Sequence, residues 1–218
     1  ALPRLFTGLL KKFVAADGLA LFALSAGNYS QVSGGVWAWV MVYAYAFQIY
    51  FDFAGYTDLA VAVGRVLGVR LPDNFKSPYL KTNLTTFWNN WHITLTMWFR
   101  AYYFNPLTRW LRSKHSDVPA WGVLLITQLS TMALIGLWHG VTWNYLIWGA
   151  WHGLGLFINN RFGDWAKPYW ARLAEKPRLH AACSALATLL TFNYVALGWV
   201  WFVLPDPAAS LTVLARLF

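Results

Sequence analysis

The stretch from Leu134 to Asn160, LIGLWHGVTWNYLIWGAWHGLGLFINN, is apolar and aromatic almost throughout, yet it carries two histidines, each in a Trp-His-Gly frame. These are Trp138-His139-Gly140 and Trp151-His152-Gly153. An ionisable ring at hydrocarbon depth is costly and marks a functional site by default. Gly140 permits a break in the backbone beside His139, or the close approach of a substrate. The rest of the chain is read as an enclosure built around that break.

The charge content decides between hydrocarbon and a soluble core. Only 11% of the 218 residues are charged, whereas soluble domains average about 25%. The 15 Trp and 11 Tyr suit helices that carry interfacial aromatic belts. The net charge of +9 falls in short connections beside apolar runs, which is the positive-inside pattern and not a nucleic-acid surface. Membrane lipid is therefore the expected surrounding partner, and nucleic acid is not. The single cysteine, Cys183, excludes an internal disulfide framework and reads as an inert thiol in an apolar run.

Taken in order, Leu5 to Ser25 is expected as a short helix in the basic-side interface. Val36 to Phe53 is about long enough to cross a bilayer core, with a break expected at Gly55 and a second helix to about Gly68. The basic segment Arg65 to Lys81, broken by Pro72 and Pro78, is expected as a cytoplasmic loop. From a cap at Thr82 or Asn83, a helix is expected through His92 to Tyr103, ended or kinked by Pro106. Because Arg109, Arg112 and Lys114 return it to the basic side, its path is expected to be tilted or re-entrant. Trp121 to Trp138, Trp143 to Asn160 and Ala181 to Leu204 are the next expected crossings, with Ser210 to Phe218 as a final amphipathic turn. This path puts residues 138–142 toward the extracytoplasmic side. The expected fold is all-α, a multi-pass integral membrane protein with residues 1–218 forming one transmembrane region.

On the expected helix, Asn89, His92 and Thr96 follow at i, i+3 and i+7 and so project from one face. That face is either a hydrogen-bonded packing stripe or part of a polar site. His139 and His152 lie 13 positions apart, some 140° round a continuous helix at about 100° per residue. They share a site only if the backbone breaks at Gly140. His139, at the break, is the candidate catalytic residue, and His152 reads as structural. His115 and His180, in or beside basic loops, read as solvated. No metal site is expected, because ligand-type spacing such as HExxH is absent and acidic residues are scarce. No nucleophile elbow or phosphate loop is present either. A histidine general base remains, since an imidazole with pKa near about 6.5 takes up a proton at neutral pH. Acyl transfer to a hydroxyl fits it. A transporter or channel with His92 and His139 as a proton relay, or a silent scaffold for a secreted modification enzyme, are the other classes.

Four ordered motifs then combine. Gln48-Ile49-Tyr50-Phe51-Asp52-Phe53-Ala54-Gly55-Tyr56-Thr57-Asp58, Asn74-Phe75 with Pro78-Tyr79-Leu80, Phe87-Trp88-Asn89-Asn90-Trp91-His92-Ile93-Thr94-Leu95, and Gly136-Leu137-Trp138-His139-Gly140 resemble the membrane-bound O-acyltransferase family. The resemblance is to its bacterial branch, which serves alginate O-acetylation and D-alanyl transfer to teichoic acid. It implies that this chain is the C-terminal part of the helical core, preceded by further helices. It implies catalytic roles for His139, as base, and His92; Asn89, Thr96 and Trp138 are the further candidate substrate contacts. Asp52 and Asp58 fall in a motif taken as structural or channel-lining. It further implies O-acetylation of an extracytoplasmic polysaccharide, with teichoic acid-type D-alanyl transfer as the alternative. No bound cofactor is implied. The donor would be acetyl-CoA or an acyl-carrier thioester arriving from the cytoplasm, and a periplasmic acetyl-transfer protein is an implied partner. The implied location is the bacterial cytoplasmic (inner) membrane.

Overall fold

A computed structural model describes residues 1–115 and 117–218. Every regular element among them is helical. Among the described residues, two helices are long and apolar enough to cross a membrane: α7 (Ala120–His139) and α9 (Pro177–Val203). The segments Val36 to Phe53 and Trp143 to Asn160, expected as further crossings, lie in long helices that do not reach that apolarity. By contact the chain forms two compact units, residues 1–76 with 196–218, and residues 77–195.

In the first unit, α1 (Leu2–Leu9), a π-helical turn (Leu10–Ala16) and α2 (Asp17–Ala20) run against α3 (Gly35–Val66). The break expected at Gly55 is absent, and α3 passes through it as one helix. The glycine serves a different purpose. A Cβ there would stand 2.8 Å from the backbone nitrogen of Lys12 and 2.9 Å from the carbonyl oxygen of Gly8. Gly55 thus lets two helix backbones touch. Charge then fastens the contact: Asp58 accepts from Arg4 Nε at 2.8 Å and Lys11 Nζ at 2.6 Å, and Asp52 accepts from Lys12 Nζ at 2.6 Å. Arg4 also pairs with Asp73. At the other end of this unit, α10 (Pro207–Ala215) is capped by Asp206, which accepts from Ala209 N at 2.9 Å. The Arg216 carbonyl accepts from Gly35 N at 2.9 Å, and the Leu217 carbonyl accepts from Trp39 Nε1 at 3.1 Å.

In the second unit a 3-10 turn (Pro78–Leu80) precedes α4 (Leu84–Trp88), which is capped as expected by Asn83, whose side chain accepts from Thr86 N at 2.9 Å. The chain then breaks where a continuous helix was expected. His92 has φ +43°, in the left-handed region, and stands as N-cap of α5 (Ile93–Phe99). Conversely, Pro106 does not end the helix. A π-helical turn (Arg100–Phe104) widens the coil just before it, and the chain continues as α6 (Asn105–Lys114) with the proline in its first turn, where a missing N–H is tolerated. The hairpin of α7 and α8 (Trp143–Leu173) forms the centre of this unit.

Candidate active site

Glycines on both helices set the hairpin. A Cβ at Gly136 would stand 2.1 Å from the carbonyl oxygen of Tyr145, one at Gly149 2.4 Å from that of Met132, and one at Gly153 2.9 Å from Leu129 Cα. Small residues at such seams let helices approach backbone to backbone, which in a membrane replaces the hydrophobic drive. The connection is as short as the sequence predicts. Gly140 has φ 169°, an extended conformation, but the Tyr145 ring fills the space beside it, with Cε2 2.6 Å from where a Cβ would be. Close packing, not dihedral freedom, explains the glycine. Thr142 then caps α8, accepting from Tyr145 N at 3.4 Å.

His139 is the last residue of α7 and half-buried. Its ring lies 4.9 Å from that of Trp138, 5.6 Å from that of Trp148 and 6.1 Å from that of Tyr145. The ring of His92 lies 6.4 Å from that of Trp138. The two imidazoles are within electrostatic reach of each other. His152 is completely buried, edge-on to Trp88 at 5.1 Å and against Trp148 at 5.1 Å and Tyr194 at 6.1 Å. Trp148 therefore stands between His139 and His152.

The face expected from Asn89, His92 and Thr96 on one helix does not exist, because the left-handed turn at His92 puts Asn89 and Thr96 on either side of a break. The break nevertheless brings Asn89 and Thr96 to one chamber of about 370 Å³, shared with Trp88, Arg100, Gln128 and Thr131. Arg100 donates to the Asn89 side-chain oxygen, and Thr96 Oγ1 donates to the Trp91 carbonyl at 3.3 Å. Neither His92 nor His139 is in the lining of this chamber. Trp138 lines a separate aromatic cavity of about 530 Å³ with Trp98, Tyr102 and Tyr103. Sequence reasoning passed over Gln128, a polar residue midway along the most apolar helix. That position was itself the signal that could have found it.

Apolar helices arranged around paired histidines define a helical membrane protein. The chain belongs to the membrane-bound O-acyltransferase family, whose sequence pattern it matches over residues 1–197. It is 37% identical over 199 residues to the probable alginate O-acetylase AlgI of Pseudomonas syringae pv. tomato, covering 91% of this chain and 35% of that protein. It is 33% identical over 207 residues to the peptidoglycan O-acetyltransferase of Helicobacter pylori, covering 95% and 36%. It is 32% identical over 203 residues to the teichoic acid D-alanyltransferase of Bacillus subtilis, covering 91% and 49%. The chain thus spans a little over a third of the length of the first two and about half of the third.

Proposed function

We propose that this chain is the catalytic part of a membrane O-acyltransferase that acetylates hydroxyls of an extracytoplasmic polysaccharide. The observation that carries this reading is the placement of His139 at the end of α7, at a tight hairpin turn, with the rings of His139 and His92 both beside that of Trp138. His139 takes the proton of the attacking hydroxyl as its oxygen bonds to the acyl carbon of a thioester. The carbon–sulfur bond breaks, and the thiolate leaves with a proton returned from the imidazole. His92 positions the acceptor or assists that proton movement, while Asn89 and Thr96 contact substrate in the neighbouring chamber and Trp138 does so beside His139. The donor is acetyl-CoA or an acyl-carrier thioester from the cytoplasm. The product is the esterified polymer or an acetylated periplasmic carrier protein.

The relatives named for alginate and peptidoglycan O-acetylation support acetyl as the group moved. The relative named for teichoic acid supports D-alanyl transfer as the second reading. We further propose a multi-pass path through the bacterial inner membrane, with α5 and α6 tilted or re-entrant. Purified protein in lipid, given thioester labelled in the acyl group and a polysaccharide acceptor, should move label to the acceptor as an alkali-labile ester. Proton flux across the same vesicles without any ester formed would overturn the reading in favour of a transporter.

A further inference from the structure

Four of the seven residues around the cavity of about 530 Å³ in the second unit are Trp or Tyr: Trp98, Tyr102, Tyr103 and Trp138. Trp98, Tyr102 and Trp138 are 54%, 70% and 59% exposed, so a ligand can lie against them. The Trp98 and Tyr102 rings, four positions apart, stand 5.3 Å from each other. The third ring ties the cavity to the histidines. Trp138 lies 4.9 Å from the ring of His139 and 6.4 Å from that of His92. Leu95, also on the cavity wall, is three residues on from His92. A group resting on Trp138 is therefore one ring away from either imidazole. Belt residues of a membrane protein face the head groups from its outer surface, whereas these four line one concavity.

We propose that this cavity is the acceptor subsite, in which Trp98 and Tyr102 hold the apolar C–H face of a pyranose ring while Trp138 sets one of its hydroxyls toward His139. A sugar ring has one chemistry on its faces and another on its rim. Its C–H bonds, polarised by the neighbouring oxygens, seat on the electron-rich face of an indole or phenol, and its hydroxyls point outward from the rim. A lipid chain is held equally well by leucine or isoleucine and has no need of Trp and Tyr. Among the described residues no charged side chain lines the cavity, so a phosphate would be desolvated there without a partner. The inference rests on the acyl-transfer reading and gives its acceptor a place.

The test uses the intact membrane-embedded protein, one labelled acetyl thioester and three acceptors: cellotriose, glycerol and N-acetylserine amide. All three offer hydroxyls, but only cellotriose has pyranose faces. In the wild type it should show the lowest KM of the three. Trp98→Leu should raise the cellotriose KM about tenfold, the effect of one lost ring contact, while the KM values of glycerol and of the thioester hold. Trp98→Phe, which restores an aromatic face, should recover most of that loss. Tyr102→Leu, at the most exposed of the three rings, should act in the same direction and guards against a folding defect in the first variant. Equal KM for cellotriose and glycerol in the wild type would overturn the inference. So would leucine variants that leave the cellotriose KM unchanged or weaken all substrates alike. Label on N-acetylserine amide but not on cellotriose would overturn it in favour of a protein acceptor. A wild type that transfers acetyl to none of the three would instead refute the acyl-transfer reading itself.

Discussion

Gly136 of α7 lies directly against the backbone carbonyl of Tyr145 on α8, with only 2.1 Å between that oxygen and the position a Cβ would take. No rotamer change relieves such a contact, because the obstructing atom is backbone. Gly136→Ala should therefore push the hairpin apart and displace His139, three residues on. The expected loss is about 1–3 kcal/mol or more, read as a lowered unfolding temperature in detergent. Gly163→Ala, in the same α8 but with nothing near its Cβ position, should be neutral or stabilising by about 0.5–1 kcal/mol. Equal effects of the two substitutions would refute the seam.

Asp58 anchors the N-terminal helical run by accepting from both Arg4 and Lys11. Its side chain is only 11% exposed, so losing its charge takes the carboxylate from Lys11 and leaves Arg4 with Asp73 alone. Asp58→Asn should cost about 1–3 kcal/mol, between the values for exposed and fully buried pairs. It should also speed tryptic cleavage after Lys11 and Lys12. Asp52→Asn removes a half-exposed partner of Lys12 and should cost less than about 1 kcal/mol.

His92 combines a side chain near Trp138 with a left-handed backbone. A non-glycine residue in that region carries strain, and such outliers concentrate at functional sites. His92→Gly separates the two roles, since glycine adopts this φ without penalty. The variant should match or exceed the wild type in stability while acyl transfer falls about 10²-fold. Unchanged transfer would leave His92 with a backbone role alone.

What the sequence made legible depended on whether punctuation was local. The Trp138-His139-Gly140 turn and the Asn83 cap were readable because a short apolar interruption and a capping side chain act within one turn. Gly55 was misread because a glycine that ends a helix and one that admits a neighbouring backbone look alike until the neighbour is known. That the helix continues past Pro106 was not legible, because the π-helical turn that makes room for the proline has no signature in the sequence. The turn at His92 carries no glycine or proline to announce it, so Asn89, His92 and Thr96 were placed on one face that does not form.

Topology is testable within the second unit, where Ser113 and Thr142 are both exposed and flank α7. In a Cys183→Ser background, Thr142→Cys should react with an impermeant thiol reagent applied to intact cells. Ser113→Cys should react only after permeabilisation, as positive-inside orientation requires. The reverse pattern would invert the assignment of the hairpin turn to the extracytoplasmic side.

The most direct measurement is the initial rate of acetyl transfer from a labelled thioester to polysaccharide by His139→Ala, compared with wild type at equal amounts of folded protein in lipid. Loss of a positioned general base should reduce the rate about 10²–10⁴-fold with the unfolding temperature unchanged. A folded His139→Ala protein that transfers acetyl within about threefold of wild type, a deficit far below that range, would contradict the account.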